Sequence, residues 1–221
     1  AFDADNTHYF LNAIPFADHG ALLDPPTADV TARCVSFLAQ IGTPPSHPSI
    51  ARGVAFLESE QEKDGSWFGR WGVNYIYGTW SVLAALNAAG VAQDAPSVRR
   101  AVAWLKSQQR SDGGWGEDCS SYAPERRSAA KGSTPSQTAW ALLGLMAAGE
   151  VADPAVERGV DFLRRAPRSG PRWHERWWTG TGFPRVFYLK YHGYSAYFPL
   201  WALARYRRLS QGDAKRTPFG L

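Results

Sequence analysis

The chain has 221 residues, which suits one domain or one large piece of a bigger one and is enough to bury a substantial core. Hydrophobic residues make up 44% of it and ten residues are tryptophan, a composition that excludes a disordered chain. The net charge of +4 comes largely from arginines spread along the sequence, densest at Arg205, Arg207 and Arg208; scattered in this way they read as solvated surface, not as a nucleic-acid footprint.

In chain order, Phe2 to Asn6 reads as a loop already in progress, with no initiating Met, as expected of a piece of a longer protein. Thr27, after Pro25-Pro26, is placed to N-cap a first helix, Val30 to Ile41, which ends at Gly42. Arg52-Gly53-Val54-Ala55-Phe56-Leu57 then leads to Gln61 and Asp64-Gly65-Ser66-Trp67. A helix from Trp80 to Ala89 ends at Gly90. Forty-eight residues after the first motif, Arg100-Ala101-Val102-Ala103-Trp104-Leu105 leads to Gln109 and Asp112-Gly113-Gly114-Trp115. Thr138 to Ala148 ends at Gly149, and a third copy begins at Arg158-Gly159-Val160-Asp161-Phe162-Leu163. There Pro167 replaces the Gln and Gly170-Pro171-Arg172 precedes Trp173, so this copy reads as decayed. A last helix spans Ser195 to Arg208.

The unit is a helical hairpin, apolar at the 3.6-residue period, and the fold class is all-α. Such hairpins stack as inner and outer layers into a solenoid or, if the ring closes, an α/α barrel; four pairs at most predict an incomplete ring. A Gln and a Trp that recur in copies are read as structural, with the indole packed over a turn and the amide capping a neighbouring helix end. The longest apolar stretch, Ala139 to Gly149, is too short to cross a bilayer and no signal-peptide pattern is present, so a membrane contact would be peripheral. Two cysteines, Cys34 and Cys119, are too few for a disulfide scaffold and fit a reduced, cytoplasmic setting.

The Gln-x-x-Asp-Gly-x-Trp segments resemble the QW repeats of the triterpene cyclases, although prenyltransferase β-subunits carry related hairpins. Further stretches separate the two: Ile14-Pro15-Phe16 through Asp24-Pro25-Pro26 to Asp29-Val30-Thr31-Ala32, the run from Trp67 to Thr79, Ser133 to Trp140, and Gly180-Thr181-Gly182-Phe183-Pro184. With these the chain resembles the squalene-hopene cyclases over nearly its whole length. The resemblance implies two α/α barrels in a much longer protein that cyclises squalene to hopene or hopanol and sits on the cytoplasmic face of the cell membrane. Residues 1–221 would be the C-terminal part of its catalytic barrel, with 1–26 a loop region where substrate enters. The family's protonating Asp-x-Asp-Asp motif would lie upstream of Ala1. Asp3-Ala4-Asp5-Asn6 falls in the loop after that motif, ends in Asn and is read as a decoy.

Polyene cyclisation needs an acid strong enough to protonate an alkene and walls that stabilise moving positive charge without capturing it. Aromatic faces meet the second need, at roughly 0.5–2 kcal/mol per desolvated contact, in a dry apolar cavity. By resemblance the wall residues are Trp71, Tyr77, Phe183, Phe187, Tyr191 and Tyr194. Phe187, Tyr191 and Tyr194 stand at i, i+4 and i+7, which would put three rings on one face of a helix, as an ordinary core stripe also would. Asp29 and Arg33, four residues apart on a helix, have the spacing of a local ion pair. The resemblance makes Asp29 part of the network that supports the upstream acid and places Arg33 where some relatives have histidine. A permanent cation there would strengthen a nearby carboxylic acid. Phe16 and Ala17 match the constriction through which substrate enters, Ala17 standing where relatives often have Cys; His19 lines the same passage or lies on a surface loop.

Two other readings compete. A prenyltransferase β-subunit needs an Asp, Cys and His zinc set, to which Asp118-Cys119 is the nearest approach. A helical repeat module without catalysis would bind lipid or a partner in its groove. The cyclase reading calls for no metal or cofactor. Its partners are squalene or a similar polyene, a membrane lipid surface, the N-terminal part of the cyclase and, as an open alternative, a second copy of the chain. Without the upstream acid and a closed cavity, the chain alone is expected not to cyclise squalene.

Overall fold

The computed structural model describes residues 10, 13, 15, 26–123, 125 and 132–212. The expectations at Asp3 to Asn6, Phe16, Ala17 and His19, and most of the loop region 1–26, lie outside the described residues. Helices α1 (Ala28–Gln40), α3 (Tyr75–Ala88), α5 (Pro135–Ala147) and α7 (Tyr194–Ser210) pack side by side in that order. Against α1, α3 and α5 lie α2 (Pro48–Ser59), α4 (Pro96–Ser107) and α6 (Pro154–Arg165), which makes the inner and outer rows expected of stacked hairpins. Before α7 the chain forms two short antiparallel hairpins, β1 (Arg168–Ser169) with β2 (Arg172–Trp173) and β3 (Gly180–Phe183) with β4 (Phe187–Leu189).

The two rows follow from hydrophobic pattern. Every residue of α5 is buried and α3 is apolar nearly all round, as suits helices covered on both faces. Helix α6 is amphipathic. Ala155, Val156, Gly159, Val160 and Leu163 face inward, while Glu157, Arg158, Asp161, Arg164 and Arg165 face water. Helices α2, α4, α5 and α6 each begin on a proline, whose fixed φ and missing N–H suit the first helical position. Gly42, Gly90 and Gly149 take positive φ just past α1, α3 and α5, where the sequence placed the helix ends.

Each repeat is joined by the same bonds. Trp67 and Trp115 are fully buried, and their Nε1 atoms donate to the carbonyls of Leu57 at 2.6 Å and Leu105 at 2.7 Å. Those carbonyls belong to the last turns of α2 and α4, where helical donors run out; the Leu105 carbonyl also accepts the Gln108 N–H at 3.2 Å. The Gln61 amide donates at 2.9 Å both to Gly65 of its own turn and to Ser97 in the first turn of α4. Gln109 does the same with Gly113 at 2.9 Å and Ala155 of α6 at 2.8 Å. Their oxygens accept from Arg100 and Arg158. The turns come so close to the next outer helix that a Cβ on Gly65 or Gly113 would lie 2.6 Å from the carbonyl oxygen of Arg100 or Arg158.

Two expectations need correction. The third copy has lost the Gln clamp but not the anchor: Trp173 is buried and donates to Leu163 at 2.8 Å, with the β1–β2 hairpin supplying the turn. Thr27 does precede α1, but its hydroxyl donates to Asp29 Oδ1 at 2.6 Å and does not cap the helix; Asp29 Oδ1 itself accepts the Val30 N–H at 3.0 Å.

Trp67→Phe keeps an aromatic ring but leaves the Leu57 carbonyl buried without its donor. It should lower stability by about 1–3 kcal/mol, measured by urea unfolding of the chain. A loss within 0.5 kcal/mol would assign the anchor to packing alone.

Candidate functional site

The loop between Trp67 and α3 and the β3–β4 hairpin are far apart in sequence and meet at an isolated bridge between Gly72 and Gly180. The Val73 N–H donates to the Thr179 carbonyl at 2.9 Å beside it. The six rings expected from the sequence gather around this junction. A Cβ on Gly72 would lie 2.5 Å from the Tyr77 ring, one on Gly180 2.5 Å from Tyr191, and one on Gly182 2.0 Å from Phe187, so three rings rest directly on glycine backbone. Arg70 ties Trp71 to Phe183, its guanidinium carbon 4.3 Å and 5.3 Å from the two ring centres and its Nη1 donating to the Gly182 carbonyl at 2.7 Å. Phe183 meets Phe187 edge-on at 5.6 Å, and Tyr191 stacks on Tyr194 at 4.7 Å.

The spacing of Phe187, Tyr191 and Tyr194 has a different origin from the one expected. Phe187 lies on β4, Tyr191 in the turn beyond it and Tyr194 at the start of α7, so no helix face carries the three. Tyr191 and Tyr194 are neighbours all the same because the turn folds back, the Tyr194 N–H donating to the Tyr191 carbonyl at 3.0 Å. Trp71, Phe187 and Tyr191 remain 38%, 41% and 44% exposed.

Behind this surface stands a second aromatic layer that the sequence reading did not assign. Trp80 and Trp140 stack at 5.9 Å with planes 4° apart, both buried. Tyr77, Tyr194 and Phe198 meet Trp140 edge-on at 5.0, 5.7 and 5.5 Å, and Phe198 and Trp201 meet Trp80 at 5.5 and 6.4 Å. The signal was present as Tyr77-x-x-Trp80 on α3 and Tyr194, Phe198 and Trp201 on α7, helical spacings that bring rings to one side. Burial raises the Tyr77 phenol above its ordinary pKa even though Arg33 pulls it down, and burial raises Tyr194 likewise. Both phenols are therefore neutral at physiological pH, which makes them poor nucleophiles toward a carbocation.

Asp29 and Arg33 do not form the local pair that their spacing suggested. The buried Asp29 carboxylate accepts the Trp71 N–H at 2.8 Å through Oδ2, in addition to its two bonds through Oδ1. Arg33 turns instead to α3, its guanidinium 4.2 Å from the Trp80 ring centre and 5.8 Å from that of Tyr77, with Nη2 donating to Ser81 Oγ at 3.2 Å. A desolvated π face attracts a guanidinium strongly enough to compete with a carboxylate already engaged by three donors. Asp118 is occupied as well: its Oδ1 accepts the Ser120 N–H at 2.8 Å at the start of a 3₁₀ turn, Cys119–Tyr122. Burial, together with the Asp118 carboxylate, pushes the Cys119 thiol up to about 11, the opposite of what a thiolate ligand requires.

Residues 1–208 match the family described as the squalene-hopene cyclase C-terminal domain. The chain belongs to that family. It is 62% identical to a probable squalene–hopene cyclase of Sinorhizobium fredii over 95% of the chain and 33% of that protein. It is 59% identical to the squalene–hopene cyclase of Bradyrhizobium diazoefficiens over 100% of the chain and 34% of that protein. The chain thus spans about a third of the length of these relatives. Its fold is similar to that of ent-copalyl diphosphate synthase from Streptomyces platensis, with a TM-score of 0.54 and 21% identity, covering 87% of this chain and 35% of that one. That likeness places the cyclase-family chain among the helical terpenoid-cyclase folds and supports the two-row α/α architecture.

Two buried glutamates cap inner helices, Glu117 at the junction and Glu175 at the start of α5, and were missed. Glu117 Oε2 accepts the N–H groups of Asn74 at 3.1 Å and Ile76 at 2.8 Å, at the start of α3. Glu175 accepts the Ser136 N–H and hydroxyl, both at 2.9 Å, at the start of α5. Each stands two residues after a repeat tryptophan, Trp115 or Trp173, and supplies the negative charge that a helix N-terminus favours. A repeated Trp-x-Glu was thus legible.

Burial raises the Glu175 carboxyl above its ordinary value, against the opposing pull of the Ser136 donors and the Lys190 ammonium. A raised folded-state pKa means that the folded chain holds this proton more tightly than the unfolded chain does. The contribution is therefore most favourable below about 4.5 and is lost as pH rises through the folded value. Glu175→Gln keeps the acceptor and cannot ionise, so its melting temperature relative to the unsubstituted chain should rise from pH 4.5 to 7.5. A flat or falling difference would contradict the assignment.

Proposed function

We propose that the chain forms part of the active-site wall of a triterpene cyclase that folds squalene, or a similar polyene, and closes it to hopene or hopanol through protonation and a carbocation cascade. The observation that carries this reading is the gathering of Trp71, Tyr77, Phe183, Phe187, Tyr191 and Tyr194 around the Gly72–Gly180 bridge. Membership in the squalene-hopene cyclase family supports the substrate class. The two exposed faces nearest the junction, Phe187 and Tyr191, offer π density to positive charge, and the buried Trp80–Trp140 pair stiffens the wall behind them. Glycines beneath the rings fix how far the wall stands from the backbone, and hence the width left for substrate.

The initiating acid is assigned to the remainder of a cyclase of the relatives' length. A carboxylate that accepts three hydrogen bonds, as Asp29 does, acts as an anchor: it holds the Trp71 backbone and adds negative charge beside the junction. Arg33, its guanidinium carbon 4.2 Å from the Trp80 ring centre and 5.8 Å from that of Tyr77, sets positive charge against both rings.

In the full-length enzyme, Phe187→Ala should remove one cation–π contact worth about 0.5–2 kcal/mol, slowing the steps it serves roughly 2- to 30-fold. Product analysis after incubation with squalene should show smaller or incompletely cyclised triterpenes, and an unchanged product profile would return Phe187 to a packing role.

A water-insoluble polyene must be drawn from lipid, which supports attachment to the cytoplasmic face of the membrane. Among the described residues no helix is long and apolar enough to cross one. The full-length enzyme should sediment with phospholipid vesicles and stay bound at high salt, because apolar contact is screened far less than lysine and arginine contacts. Full release by salt alone would argue against it.

A further inference from the structure

The loop from Gly69 to Asn74 carries Trp71 and the glycine under Tyr77; Asp29 and Arg70 hold its middle, and its ends are held by buried polar groups. Glu117, 7% exposed, takes the Asn74 and Ile76 N–H groups on one oxygen. Its own N–H donates to Gln137 Oε1 at 2.9 Å, and the Gln137 amide returns to the Val73 carbonyl at 2.7 Å. The Tyr122 hydroxyl is shared between the carbonyls of Gly69 at 2.7 Å and Gly72 at 2.9 Å, while Asn74 Oδ1 accepts the Gly69 N–H at 3.1 Å. Glu117 thus bonds both the end of the loop, at Asn74, and the first turn of α3, at Ile76, one residue before Tyr77.

We infer that Glu117 is a positioning residue of the cyclase, setting Trp71 and Tyr77 against the substrate by clamping the Gly69–Ile76 backbone. The inference rests on the cyclase reading above. Glu175 separates positioning from simple helix capping. It caps α5 through the Ser136 N–H and hydroxyl and reaches the junction only by a long 3.5 Å bond from the Thr179 hydroxyl, and the turn that it opens carries none of the six wall residues. Loss of either cap should cost comparable stability, and only loss of the first should move the wall.

The test uses the full-length cyclase with squalene, reading kcat, KM, triterpene product ratios and melting temperature for Glu117→Ala, Glu117→Gln, Glu117→Asp and Glu175→Ala. Glu117→Ala should lower kcat by roughly 10- to 100-fold, as for a displacement on the ångström scale, and shift products toward incomplete cyclisation with KM little changed. Glu117→Gln, whose amide oxygen can accept both N–H groups, should restore the products and bring kcat to within about threefold of the wild type. Glu117→Asp keeps the charge but falls a methylene short; it should resemble Ala and decides the matter if the Ala variant does not fold. Glu175→Ala should lose melting temperature but keep the product ratios. A wild-type profile in Glu117→Ala or Glu117→Asp, or an equal shift in Glu175→Ala, overturns the positioning role while leaving the cyclase reading intact. A wild-type enzyme that yields no cyclised triterpene overturns both.

Discussion

An indole N–H that donates to the last-turn carbonyl of an outer helix recurs at Trp67, Trp115 and Trp173, and the remaining architecture is arranged around it. The bond gives a last-turn carbonyl a donor where the helix runs out of them, and it places a large ring under the turn that leads inward. From that turn the backbone reaches the inner row. The Trp67 and Trp115 N–H groups donate to Thr79 Oγ1 at 3.0 Å and Thr138 Oγ1 at 2.9 Å, near the starts of α3 and α5. One residue type therefore ties an outer helix to the inner helix that follows it, by its side chain on one side and its backbone on the other.

This framework makes the aromatic surface rigid. Helices α3 and α5 are buried nearly all round, so their rings cannot withdraw toward solvent, and Trp80 and Trp140 lock against each other between α1 and α7. The surface in front is less covered, and its rings are held by backbone contact more than by burial. Tyr77, Phe187 and Tyr191 lie on glycines whose replacement would push them outward by more than an ångström, given closest approaches of 2.0–2.5 Å. Rigid walls with neutral rings suit the proposed carbocation cascade, in which a nucleophile along the wall would trap the charge early.

The helical hairpins, their glycine ends and the recurring Trp were readable because each is a local signal: a 3.6-residue period, a positive-φ position, a fixed offset from the preceding helix. The family resemblance added the wall residues, and the structure brings all six together. What the sequence hid was long-range. Glu117 caps a helix that begins some forty residues earlier, and nothing in the spacing from Asn74 to Glu117 encodes that pairing. Arg33 has the spacing of a partner for Asp29, but the competing acceptor, the Trp80 face, becomes its neighbour only when α1 packs on α3. The i, i+4, i+7 pattern at Phe187 misled because a strand followed by a turn and a helix start can imitate it.

Pro167 stands where the first two copies have a glutamine, and the position of that copy in the array accounts for it. Gln61 and Gln109 each hold the first turn of the outer helix one unit further on. After α6 the next helix is α7, which joins the inner row, so among the described residues a glutamine at 167 would have no following outer helix to grip. In a stack governed by nearest-neighbour coupling, such a site is a boundary condition: the intrinsic term of the repeat, the indole anchor, persists and the interface term drops out. The sequence thereby records the direction in which the clamp runs along the described outer row, from α2 toward α6.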